Sequence, residues 1–177
     1  AMYQAKADGK GTYRFFDQAM HTQALHWLRL EQALRQQRFE EQFHLVYQPI
    51  IDLESGRAIG FEALLRWKHP TEGNVRPDVF IPIAEQTGVI VPLGEWVLWQ
   101  TCRQLQQWRQ QGLPRSKPIM TVNVSKRQLL HADLPDRLSH ILKTTGVEPA
   151  QLKLEVTETD IVESCEPLID VMLRLSR

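Results

Sequence analysis

The sequence predicts an α/β fold whose strands run mostly parallel. Two observations carry this. From residue 43 onward, short stretches with a two-residue apolar alternation are separated by stretches with helical periodicity, which is the order expected of strands joined by crossover helices. The first two strand-like stretches are instead joined by a short turn, "ESG", so one antiparallel hairpin should sit beside the parallel strands. The composition suits a folded protein: 177 residues, 42% hydrophobic and 24% charged. Lys and Arg number 21, as do Asp and Glu, so charge balance offers nothing to attract a nucleic-acid polymer or an anionic membrane surface. No apolar run approaches the roughly 20 residues needed to span a bilayer, and the start has no signal-peptide pattern. Cys102 and Cys165 lack metal-type spacing and read as reduced thiols packed as small hydrophobes.

The elements follow in order. Residues 1–17, "AMYQAKADGKGTYRFFD", read as a short helix, a Gly-rich turn and a brief aromatic strand, too few to form a core alone. Residues 18–39 read as one polar helix with Met20, Ala24, Leu28, Glu31 and Leu34 at helical spacing, a pattern suited to bridging domains or pairing with a partner. "LVYQPIID" and "RAIGFEALLRW" are the hairpin strands. "PDVFIPIAEQTG" holds a helix ending near Gly88. "PLGEWVLWQTCRQLQQWRQQG" is a helix with Leu93, Trp96, Val97, Leu105 and Trp108 on one stripe, closed by Gly112 and Pro114. "PIMTVNVS" is a strand, and Ser125 with Gln128 forms a capping box that opens the next helix. "AQLKLEVTET" is the last strand, followed by a terminal helix. Both ends look cut, as in a segment of a longer polypeptide.

Three strands carry polar side chains where a buried strand should be apolar. In "RAIGFEALLRW", Phe61, Ala63 and Leu65 share one face, and Glu62, Leu64 and Arg66 share the other. In "PIMTVNVS", Asn123 lies on the face opposite Val122 and Val124. In "LKLEVTE", Lys153, Glu155 and Thr157 lie opposite Leu152, Leu154 and Val156. Each strand thus bears an oxygen donor near its carboxyl end, where α/β sheets place ligand sites. An unpaired carboxylate in a buried sheet would cost several kcal/mol, so a partner is expected. Two carboxylates and an amide oxygen suit Mg²⁺ or Mn²⁺ rather than zinc. Arg66 lies about 13 Å along the strand from Glu62, too far to neutralise it but placed to grip a phosphate. Taken singly, each residue also has an ordinary reading: Glu62 a solvated strand acid, Asn123 a helix-start residue, Glu158 a surface acid, Gln48 a strand-end polar group.

The stretch "YQPIIDLESGRAIGFEALLRWKHP" resembles the opening of an EAL domain, the phosphodiesterase domain that hydrolyses the bacterial second messenger cyclic di-GMP. "VFIPIAEQTGVI", "LGEWVLWQTCRQLQQW", "TVNVSKRQL" and "LKLEVTET" resemble its following segments in the same order, so the likeness covers about residues 28–177. It implies a modified (β/α)₈ TIM-type barrel with one antiparallel strand, of which this chain holds roughly the first half. It implies Glu62, Asn123 and Glu155 as ligands of a two-metal Mg²⁺ or Mn²⁺ site lying partly outside this chain. Glu158 matches the second acid of the family's E-x-T-E segment, which helps order a neighbouring loop, and Gln48, Leu64 and Arg66 match residues that contact the dinucleotide. The product implied is linear pGpG, with calcium inhibitory.

Residues 1–17 resemble the last helix and turn of a GGDEF domain. Lys6 matches a lysine of that helix, but "GKGT" departs from the usual "GRN" and carries no cyclase activity over. The domain boundaries expected are therefore 1–17 as a GGDEF remnant, 18–39 as a linker helix, and 40–177 as an EAL domain. A homodimer through the complete domain is implied, in the bacterial cytoplasm, either free or as the cytoplasmic part of a membrane-anchored parent. Two further readings stay open: a degenerate EAL domain that senses cyclic di-GMP without cutting it, and an interaction module relaying a signal through residues 18–39. The family's Asp-Asp pair, catalytic Lys, further Glu and Gln would all follow the last residue of this chain. The isolated 177 residues are accordingly expected to be insoluble, swapped or inactive; metal-dependent hydrolysis by the purified fragment would contradict this.

Overall fold

A computed structural model describes residues 18–112 and 117–156, together with Val171 and Leu173. The expectations for residues 1–17, Pro114, Thr157, Glu158, Cys165 and most of the terminal helix lie outside the described residues. The chain divides after Gln36 into two compact units. In the first, helix α1 spans Gln18–Arg35. It is shorter than the expected 18–39, since Gln37 takes a left-handed backbone (φ 52°) that an L-residue helix cannot continue through. Its buried side chains are Leu30 and Leu34, while Leu28 is exposed, so the apolar stripe is rotated from the expected one. Glu31 and Arg35 pair one turn apart at 2.8 Å.

The second unit opens with a single helical turn, α2 (Phe39–Gln42), and then the strands β1 (Phe43–Ile51) and β2 (Ala58–His69). These two pair antiparallel as expected, with Gln48 opposite Glu62 and His44 opposite Arg66. The turn between them is tied by Asp52, whose carboxylate accepts from the Ser55 N–H (2.8 Å) and hydroxyl (2.6 Å). Those bonds favour the ionised form and hold the Asp52 carboxyl below the usual range. A short strand β3 (Gly73–Val75), which the sequence did not announce, folds back on the end of β2. Helices α3 (Pro77–Thr87) and α4 (Ile90–Gln110) follow, with Gly88 supplying the left-handed cap between them (φ 82°). Then come β4 (Ile119–Asn123), a one-turn helix α5 (Lys126–Leu129), α6 (Leu134–Thr145) and β5 (Leu152–Glu155). The single helix expected after Ser125 is therefore two, broken at Leu130–Asp133.

Among the described residues the strands form one sheet in the order β1-β2-β4-β5, with β3 paired to β2. β2, β4 and β5 run parallel and β1 antiparallel. This is the mixed sheet with flanking helices of a distorted (β/α)₈ barrel, incomplete relative to a full one. The helices cover one face. Val97, Leu98, Cys102 and Leu105 of α4 bury against Met120 and Val122 of β4 and Leu138 and Ile141 of α6. Burial pushes the Cys102 thiol up to about 11 despite a hydrogen bond with Thr145 that acts the other way. At one end Trp67 stacks on Phe43 (5.3 Å between centroids), and its indole N–H reaches Gln42 Oε1 at 3.0 Å. At the other, Trp108 meets Phe61 (4.7 Å) and Tyr47 (5.1 Å). Desolvation raises the Tyr47 phenol to about 12. No described helix is long and apolar enough to cross a membrane.

One contact joins this helix layer to the end of β4. Ser125 and Gln128 form the predicted capping box: the Ser125 N–H donates to Gln128 Oε1 (3.0 Å), and the Gln128 N–H donates to Ser125 Oγ (3.4 Å). Buried Gln128 occupies the space over Gly94, where an added Cβ would fall 1.5 Å from its Nε2. Gly94→Ala is therefore expected to evict that side chain and destabilise the fold by about 1–3 kcal/mol, the usual cost of overpacking. Urea denaturation would check it; an unchanged midpoint would show that Gln128 has room to move.

Candidate active site

The site begins with alternation along β2. Phe61, Ala63 and Leu65 turn toward the helix layer and pack against the core. Glu62, Leu64 and Arg66 are therefore left on the other face. Pairing then brings neighbours to Glu62 from both sides. β1 sets Gln48 directly opposite it, and β4 sets Thr121 on the other flank. Continuing the same row, Lys153 of β5 lies opposite Thr121. One register step toward the carboxyl end, Asn123 and Glu155 face each other across β4 and β5. The main chain locks that step, since the Val124 N–H donates to the Glu155 carbonyl at 2.8 Å.

The side chains use this placement. Asn123 Nδ2 donates to Glu62 Oε1 at 2.7 Å. That commitment turns Asn123 Oδ1 away from Glu62 and leaves it as an available acceptor. Glu155 Oε1 accepts from Lys153 Nζ at 2.8 Å. Arg66 Nη1 rests on the Leu65 carbonyl at 2.9 Å, leaving the rest of its fork uncommitted to that bond. A cleft of about 330 Å³ opens between the sheet and the helices and reaches Leu64, Arg66, Asn123 and Glu155. It is lined as well by helix-facing Ala63, Leu65 and Val122 and by Leu93 and Val97 of α4; Glu62 and Gln48 do not line it. Its far wall includes Pro77, Ile81 and Glu85, spaced four apart on one face of α3.

The structure thus brings together Gln48, Glu62, Leu64, Asn123 and Glu155, and places Arg66 farther along the same strand face. Glu158 lies outside the described residues. Among the described residues no three His, Cys, Asp or Glu side chains gather as a metal site. The donor set here is of another kind, two carboxylates and one amide, all oxygen, which by its chemistry suits a hard cation. Two features of the site were not assigned from sequence. Alternation already put Lys153 on the face of Glu155, yet only the tertiary structure shows the two joined. The four-residue spacing of Pro77, Ile81 and Glu85 was visible, but nothing in it tells which face of α3 turns to the sheet.

Asn123 and Glu155 close β4 and β5, whereas Glu62 lies inside the longer β2 rather than near its carboxyl end as expected. An α/β sheet with such an oxygen-donor cluster defines a class of ligand-binding and hydrolytic folds. Comparison with known proteins narrows it: the EAL domain model matches residues 29–177, and the chain belongs to the EAL-domain family. It is 40% identical over 176 residues to the bifunctional diguanylate cyclase/cyclic di-GMP phosphodiesterase MucR of Pseudomonas aeruginosa, covering 99% of this chain and 25% of MucR. It is 34% identical over 177 residues to the cyclic di-GMP phosphodiesterase PdeR of Escherichia coli, covering 100% of this chain and 26% of PdeR. The solved structure of the PaMucR phosphodiesterase in complex with c-di-GMP superposes with a TM-score of 0.77 at 40% identity, over 84% of this chain and 59% of that one. The EAL enzyme Bd1971, solved with cAMP and cyclic di-GMP bound, also gives 0.77, at 31% identity, over 87% of this chain and 42% of that one. The chain therefore spans about a quarter of the length of these curated relatives.

The Asn123–Glu62 bond gives a test of the geometry itself. Asn123→Asp replaces a donor with a second carboxylate at hydrogen-bond distance from Glu62. The like charges should lower stability at neutral pH by about 1–2 kcal/mol. Thermal unfolding in EDTA at pH 7 would show it, and an unchanged midpoint would show that the two side chains move apart.

Proposed function

We propose that this chain forms the opening part of a metal-dependent phosphodiesterase domain that hydrolyses cyclic di-GMP to linear pGpG in bacterial second-messenger signalling. The observation that carries the reading is the joined pair Glu62 and Asn123, with Glu155 in register on the next strand and Gln48 across from Glu62. Support also comes from the likeness to MucR and PdeR, both named as cyclic di-GMP phosphodiesterases, and to the PaMucR complex with c-di-GMP.

Glu62, Asn123 and Glu155 would hold Mg²⁺ or Mn²⁺, and their all-oxygen chemistry fits that class of ion. Such ions, when bound, acidify a water and stabilise charge on a transferring phosphoryl group. The chain's own residues do the rest of the binding. Arg66 offers guanidinium N–H groups to a phosphate oxygen of the dinucleotide. Gln48 offers an amide beside Glu62, and Leu64 an apolar surface at the mouth of the cleft. Asn123, held by Glu62, keeps its amide oxygen turned outward without loss of rotamer order. The overall reaction joins a water oxygen to phosphorus and breaks one P–O3′ bond, leaving a 5′-phosphate and a free 3′-hydroxyl. Glu158 belongs to the same site as an acid that helps order a neighbouring loop.

The domain plan of this reading is a GGDEF tail at 1–17, a linker helix at 18–39 and the EAL domain from 40. The similarity to MucR, named as bifunctional, runs over 176 residues and so reaches into the first segment. The native protein is then a longer GGDEF-EAL polypeptide acting in the bacterial cytoplasm, dimeric through its complete EAL domain.

In the native protein, Glu62→Ala is expected to lower Mg²⁺-dependent conversion of cyclic di-GMP to pGpG at least 100-fold, roughly the upper end of what loss of a mere supporting group costs. Product chromatography would measure it. A wild-type protein that binds cyclic di-GMP in Mg²⁺ or Mn²⁺ but releases no pGpG would overturn the reading in favour of a sensor.

A further inference from the structure

Lys153 is an unusual residue to find where it sits. It lies on β5 in the row that crosses the sheet through Gln48, Glu62 and Thr121. Its neighbour Thr121 is buried, and the side of the strand opposite Lys153 is the apolar side, where Leu152 and Leu154 pack on the core. The Lys153 side chain is largely exposed, so solvation alone does not fix where the ammonium goes. Its ammonium instead reaches two residues along the strand to Glu155 Oε1 at 2.8 Å.

We propose that Lys153 is a built-in counter-cation that sets the affinity of the site for its divalent ion. The proposal rests on the reading of Glu62, Asn123 and Glu155 as metal ligands. Glu62 and Glu155 bring two negative charges and Lys153 returns one positive charge, so the cluster attracts a divalent ion less strongly than its carboxylates alone would. An ion that uses Glu155 must share or displace the ammonium on Oε1. The pair is half exposed, with side-chain exposures of 62% for Lys153 and 42% for Glu155, so water screens it and the effect is modest. A site of this kind fills incompletely with the ion alone. It gains affinity when an anionic phosphodiester arrives and supplies further negative charge. Lys153 acts here as a positioning and affinity-setting group, holding Glu155 in place while the ion is absent.

The test is Mn²⁺ binding to the native protein, followed by the paramagnetic resonance signal of free Mn²⁺ in the absence of nucleotide. Lys153→Met, and independently Lys153→Gln, should tighten Mn²⁺ binding about 3- to 5-fold, the equivalent of removing one exposed ion pair. Lys117→Met, which breaks a pair with Glu148 at the opposite end of β4, should leave the affinity unchanged. Glu155→Gln should weaken the binding strongly. If Glu155→Gln weakens binding but both Lys153 variants match the wild type or bind more weakly, the counter-cation role is overturned and the metal site stands. If Glu155→Gln leaves Mn²⁺ binding unchanged, the metal reading itself falls, and the role of Lys153 with it.

Discussion

The register of β2 against its two neighbours is the constraint on which the site depends. Side chains alternate with a period of two, so a slip of one residue would carry Glu62 into the helix layer and Phe61 onto the opposite face of the sheet. That slip is prevented from both sides. Toward the helices, Phe61 meets Trp108 and Trp67 stacks on Phe43, so both ends of the strand are pinned by aromatic contacts. Toward β4, the parallel pairing fixes Glu62 opposite Thr121 and brings Asn123 within reach of its carboxylate. Burial of apolar surface on one face thus determines which polar groups meet on the other.

The same logic explains the mixture of strand directions. A tight turn tied by Asp52 and Ser55 allows β1 to return antiparallel beside β2. The step from β2 to β4 is parallel and needs a long crossover, which α3 and α4 supply. Helix α4 then does two jobs. Its apolar stripe covers the sheet, and Gly94 leaves space for the Gln128 side chain that caps the turn after Asn123. Packing in the helix layer is in this way coupled to the placement of a polar residue at the strand end. The coupling passes through covalent geometry and hydrogen bonds, with Ser125 as the link.

The electrostatics of the cluster follow from how few charges it holds. Two carboxylates without a counter-charge would repel each other, and each has a partner that relieves this. Glu62 takes a neutral amide donor and Glu155 an ammonium. The different partners make the two acids unequal. Displacing the Asn123 amide costs a hydrogen bond from an uncharged donor, whereas displacing Lys153 costs an ion pair. An incoming cation meets those two costs in one site, which is why the lysine rather than the asparagine is the residue expected to tune affinity.

Much of this was legible in the residues. Alternation in "GFEALLRW" separated Glu62 from Phe61, and "TVNVS" with its capping box placed Asn123 at a strand end. The crossover pattern predicted parallel strands, the "ESG" turn predicted the hairpin, and likeness to a family joined the three strands into one site. The misplaced features share a cause. The end of α1, the rotated stripe through Leu30 and Leu34, the strand Gly73–Val75 and the break between α5 and α6 each depend on contacts or backbone angles that local periodicity does not encode. By itself, then, the sequence determined which side chains share a strand face, because a two-residue period is a local property of the chain. Only the tertiary structure decided which faces meet: that Asn123 bonds Glu62, that Lys153 holds Glu155, and that α3 walls the cleft with Pro77, Ile81 and Glu85. Those pairings are set by strand register and helix rotation, and both are fixed by packing between segments far apart in the chain.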